Sequence, residues 1–77
     1  MIYRVVLTSK ALKDAKNLKI IGLKSKADKL LETIQNNPYQ PPYKKLKGYS
    51  NVYSRRINKQ HRVVYTIYGD TIKINSM

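Results

Sequence analysis

The stretch HRVVYTIYGDTIKINS, residues 61–76, constrains this chain more than any other. Val63, Tyr65 and Ile67 form the better apolar set, and Arg62, Val64, Thr66 and Tyr68 alternate with them. A period of two belongs to a pleated strand with one face on a core, not to a helix. Gly69-Asp70 then suits a two-residue hairpin turn with glycine leading. Strands are therefore predicted over 52–57, 61–68 and 71–76, successive and antiparallel, with Asn58-Lys59-Gln60 joining the first pair.

The first half of the chain has a different period. Tyr3, Val5 and Leu7 alternate with Ile2, Arg4 and Val6, which predicts one more strand. Thr8 or Ser9 offers an N-cap for a helix bearing Leu12, Ala15 and Leu18 on one side. Gly22 marks a break. A second helix carries Leu23, Ala27, Leu30, Leu31 and Ile34 and stops at Asn36-Asn37-Pro38. NPYQPPY, residues 37–43, holds all three prolines and reads as an ordered loop, followed by KKLKG as a short strand or bend. The order is β-α-α-β-β-β, with a further strand if KKLKG forms one. That is an α+β fold, with two N-terminal helices packed on one face of a mostly antiparallel sheet. At 77 residues it is expected to be a single domain, 1–77, and with no cysteine its core must come from aliphatic residues and tyrosines.

Charge narrows the partners. Sixteen Lys and Arg against four Asp and Glu give a formal +12, and no acidic residue falls between Thr33 and Gly69. Such a field attracts nucleic acid, an anionic membrane or an acidic protein. No apolar run is long enough to span a bilayer and the N-terminus lacks a signal-peptide pattern, so a cytoplasmic protein without a membrane partner is expected. One histidine and four scattered carboxylates do not make a ligand set, so neither metal nor cofactor is expected. Strand parity concentrates the charge. If Tyr53 and Ile57 face the core, Ser54 and Arg56 turn outward and Arg56 meets Arg62 across the hairpin. Like charges so placed repel unless an anion sits between them, which predicts a phosphate site. The same parity places His61 with Val63 and Tyr65, in a hairpin-end role away from that site.

PPYKKLKG, YSRRIN and QHRVVY, read together from Pro41 to Tyr65, resemble the characteristic block of the YoeB-like (Txe/YoeB) toxins of the RelE superfamily. The resemblance implies a RelE-like fold and the toxin of a bacterial type II toxin–antitoxin pair. Such a toxin enters the ribosomal A site and cleaves mRNA by attack of the RNA's own 2′-hydroxyl on the adjacent phosphate. That chemistry needs a base, cations for the transition state and an acid for the leaving oxygen. By position, Arg62 matches the catalytic arginine, while Arg56 and Lys47 match basic positions near the substrate. Two departures stand out. Lys44 occupies the place of the family's glutamate base, and a lysine, with a reference pKa of about 10.4, is a poor base at neutral pH. The chain also ends in IKINSM without the His-Tyr tail that supplies the proposed acid. Little or no cleavage is therefore expected.

Lys45, Arg55 and Lys59 extend the expected RNA-binding set by charge, and Tyr49 and Tyr53 by stacking on bases. For Tyr53 a core position is equally open, and Tyr65 is expected in the core. The resemblance further implies an acidic YefM/Phd-like antitoxin as cognate partner, with mRNA and ribosomal RNA as the others. Two alternatives remain at this point: a non-catalytic remnant that binds RNA or antitoxin, and a superfamily relative acting on DNA gyrase.

Overall fold

Thr8 decides where the first helix begins. Its Oγ1 accepts from the Ala11 N–H at 3.1 Å, and its hydroxyl donates to the Asn75 carbonyl at 3.1 Å. One side chain thus satisfies an orphan donor of the helix and ties that helix to the far end of the chain. The computed structural model describes residues 2–77. Strand β1 (Arg4–Leu7) leads into α1 (Ser9–Ile20) and α2 (Lys24–Asn36). Then follow β2 (Lys44–Lys45), β3 (Val52–Arg56), β4 (Arg62–Tyr68) and β5 (Thr71–Ser76).

Between the helices, Gly22 takes φ +79°. Its N–H donates to the Lys19 carbonyl at 3.2 Å, and the Leu23 N–H to the Leu18 carbonyl at 2.8 Å. This pair of bonds is a Schellman closure, which needs a left-handed residue at that position. The second turn that glycine controls, Gly69-Asp70, has a positive φ of 56° at its first position, as a II′ hairpin requires.

The five strands form one sheet in the order β1-β5-β4-β3-β2. Three of the four pairings are antiparallel, while β1 lies parallel to β5, so the sheet is mixed. KKLKG does supply a strand, but only Lys44 and Lys45 take part. Both helices cover one face, where Ala11, Ile34, Tyr53, Val63, Tyr65, Ile67, Ile72 and Ile74 make a continuous core. One helix stripe is shifted from expectation. Ala11 is buried and Leu12 is 54% exposed, so the inward row runs Ala11, Ala15, Leu18. Both rows fit helical spacing, and only the docking angle of α1 separates them.

On the helix-free face a bulge at Val64/Tyr65 leaves Asn75 as an extra residue, and its Nδ2 donates to Thr66 Oγ1 at 2.8 Å. Asp14, on α1, accepts from the Met77 N–H and from Lys10, both at 3.0 Å. These hydrogen bonds hold its carboxyl below the usual range. Among the described residues no helix is long and apolar enough to cross a membrane.

Candidate phosphate-binding cleft

The hairpin joining β3 to β4 is built by Asn58, whose Oδ1 accepts from the Gln60 and His61 N–H groups at 2.9 and 2.8 Å. The Ile57 N–H then donates to the His61 carbonyl at 2.8 Å. That bond makes the next pair inward, Arg56 opposite Arg62, a non-hydrogen-bonded one, where facing side chains stand closest. Both arginines are exposed and both turn to the helix-free face. Two like charges brought to about 4 Å of each other repel by on the order of 1 kcal/mol even in water. An anion between them reverses the sign.

The cleft in front of this pair encloses about 300 Å³. Ser54 lies one step along β3 on the same face, and Lys44 is its cross-strand partner on β2. Lys44, Ser54, Arg56 and Arg62 line the cleft together with Pro42, Tyr43 and Arg55. No carboxylate lines the cleft. Guanidinium forks, an ammonium and a hydroxyl converging without a counter-charge are suited to phosphate oxygens. Elsewhere, no group of three or more His, Asp or Glu side chains is placed to hold a metal ion among the described residues.

Known proteins of similar sequence and shape identify the family. The family model for YoeB-like toxins of bacterial type II toxin–antitoxin systems matches residues 9–77. The chain belongs to that family. It is 32% identical to the YoeB of Staphylococcus aureus, solved as a dimer, with a TM-score of 0.84 over 99% of this chain and 94% of the other. The heterotetrameric YoeB–YefM toxin–antitoxin complex of the same organism matches at 32% identity, with a TM-score of 0.79 over 96% of this chain and 92% of that one. A YoeB/ParE toxin from Agrobacterium tumefaciens shares the fold at 22% identity, with a TM-score of 0.81 over 95% and 93% of the two chains. No curated protein matches significantly.

In this YoeB-like toxin the residues singled out from sequence separate into three groups. Arg62, Arg56 and Lys44 line the cleft as exposed cations, and Arg55 lines it as a buried one. Lys47 and Tyr49 do not; they lie exposed on the loop after β2, and Lys59 lies exposed in the hairpin turn. Lys45 is exposed opposite Tyr53, so its strand parity turns it away from Lys44.

The third group carries corrections. Arg55, expected among the RNA-contacting cations, is only 8% exposed, and its guanidinium donates to the Gln40 carbonyl at 2.8 Å. Its alternation with Arg56 puts it on the core side, so adjacent arginines do different work. Tyr53, for which stacking on bases and a core position were equally open, takes the core position. Its ring stacks on Tyr65 at 5.8 Å and meets the Tyr39 and Tyr43 rings edge-on at 5.9 and 5.3 Å. Tyr65 is fully buried and donates to the Pro38 carbonyl at 2.8 Å. Burial pushes its phenol up to about 12, against the pull of the nearby Arg55 charge. Tyr65 and Arg55 together pin the proline loop whose end, Pro42-Tyr43, walls the cleft.

Sequence reasoning did not single out Ser54 and Tyr43 as cleft residues. Ser54 was findable, since it shares parity with Arg56. Tyr43 was not, because an irregular loop carries no period to read.

Proposed function

We propose that this YoeB-like toxin is an endoribonuclease that engages mRNA in the ribosomal A site, in an attenuated form. The observation that carries the reading is the carboxylate-free cleft in which Arg56 faces Arg62 across the hairpin, with Lys44 and Ser54 beside them. In the reaction, the RNA's 2′-hydroxyl yields its proton to solvent and attacks the adjacent phosphorus. The bond to the 5′-oxygen breaks and that oxygen takes a proton from solvent, leaving a 2′,3′-cyclic phosphate and a 5′-hydroxyl. Arg62 holds the non-bridging oxygens as charge builds on them, and Arg56 shares that load. Lys44, where the family has glutamate, leaves the attacking hydroxyl without a carboxylate base. Loss of one acid–base group forfeits about 10² to 10⁴ in rate.

The cleft suits binding better than cutting, which favours a second reading in which the chain holds RNA without cleaving it. A single substitution separates the two. Primer extension on translated mRNA is expected to show Lys44→Glu cleaving about 10² to 10⁴ times faster than the parent. If Lys44→Glu still binds RNA but cuts no faster, the endonuclease reading fails and the binding reading stands. A YefM-like antitoxin is the proposed partner, its acidic segment folding across the basic cleft. Charge reversal, Arg56→Glu with Arg62→Glu, should abolish co-purification, and an intact complex would refute that geometry.

A further inference from the structure

A second basic groove opens beside the cleft, between α2 and the β3–β4 hairpin. It is shallow and open to solvent, with a volume of about 270 Å³, and is lined by Lys26, Lys29, Leu30, Thr33, Arg56 and Ile57. The α2 residues fall at i, i+3, i+4 and i+7, so they share one flank of that helix, next to its buried row of Ala27 and Ile34. The cations here are unpartnered. The ion pairs among the described residues are Lys10–Asp14 and Lys24–Asp28, so Asp28 is engaged with Lys24, away from the groove. The Thr33 hydroxyl donates to the Lys29 carbonyl at 3.1 Å, leaving the ammonium groups and the guanidinium as the donors. Leu30 and Ile57 supply its apolar lining.

Arg56 lines both this groove and the cleft. Two carboxylate-free sites that share Arg56 make a continuous electropositive path around the hairpin end. The geometry points to a phosphodiester-binding subsite on α2: Lys26 and Lys29 hold backbone phosphates of the same RNA strand whose neighbouring phosphate lies between Arg56 and Arg62. This inference rests on the cleft being an RNA site and extends the strand beyond it. Lysine is suited to such a position, since backbone contacts need charge and not base-specific geometry.

The test is fluorescence anisotropy against salt with two probes, a uridine dinucleotide that fills only the cleft and an oligouridylate dodecamer that passes the hairpin. Each phosphate contact on a single strand contributes about 0.7 to the log–log salt slope. Lys26→Gln with Lys29→Gln is expected to lower the dodecamer slope by about 1.4 and to leave the dinucleotide unchanged. Lys13→Gln with Lys16→Gln, the same charge and spacing on α1, is expected to leave both probes unchanged. Equal losses from the two double variants, or no loss from the first, overturn the subsite. Arg62→Ala reads the cleft separately. It should weaken the dinucleotide, and if it does not, the cleft reading fails and the continuous path with it.

Discussion

Replacing Tyr65 with phenylalanine removes one oxygen from the centre of the core, and its effect should reverse with pH. The phenol is fully buried and donates to the Pro38 carbonyl at 2.8 Å. Without it that carbonyl loses its partner, at a cost of about 1 to 3 kcal/mol near neutral pH. For a domain of this size each kcal/mol moves Tm by about 4 to 8 °C. Alkaline pH acts the other way. Burial raises the folded phenol from 10.0 to about 12, so between those values the unfolded chain releases a proton that the folded chain keeps. The folded state then binds more protons than the unfolded one, and stability falls as pH rises through 10. One pH unit above that midpoint the loss attributable to Tyr65 is about 1.4 kcal/mol, and it saturates near 2.7 kcal/mol above pH 12. Phenylalanine has no proton to lose. Urea denaturation of parent and Tyr65→Phe at pH 8 and pH 11 isolates the effect, because deprotonation of the lysines is common to both. The gap between them should shrink by about 1.4 kcal/mol. A gap that stays constant would mean that the phenol ionises freely in the folded protein, and the buried clamp on the proline loop would be refuted.

Arg55→Met and Arg62→Ala should separate structure from binding at two arginines of similar sequence context. The first costs about 1.5 to 3 kcal/mol by stripping the Gln40 carbonyl of a charged donor, visible as a lower Tm. The second leaves Tm within a few degrees and weakens RNA in the anisotropy assay. Gly22→Ala should destabilise by about 1 to 2 kcal/mol, since its φ of +79° is costly for any residue with a Cβ; an unchanged urea midpoint would contradict the Schellman closure. Asp14 is held below the usual carboxylate range by the Met77 N–H and Lys10, so its contribution is present above pH 4 and is lost as pH falls through its lowered value. Asp14→Asn should therefore flatten the acid side of the stability–pH curve, and an identical acid limb in both proteins would count against that tie.

How much of this was legible beforehand depended on whether a residue belongs to a periodic element. The pairing of Arg56 with Arg62 follows from alternation along two strands and a short turn, and both arginines do line one cleft. The same alternation, applied to Arg55, would have placed it on the core side. Net charge invited a different reading, because charge has no direction in a sequence. Leu12 and Ala11 show the analogous limit for a helix, where adjacent residues differ by 100° and either row can face inward.

The sequence by itself determined the order of the two helices and the strands around them, the turn at Gly69, the basic field and the characteristic block from Pro41 to Tyr65. Each is local, set by side-chain period, backbone-permissive glycine or composition. Tertiary structure alone decided the rest. It laid β1 parallel to β5, folded the proline loop onto Tyr65 and Arg55, and brought α2's Lys26 and Lys29 to the hairpin that carries Arg56. Those contacts join residues far apart in the chain. Their partners are chosen by which surfaces bury together, and no short window of sequence contains that information.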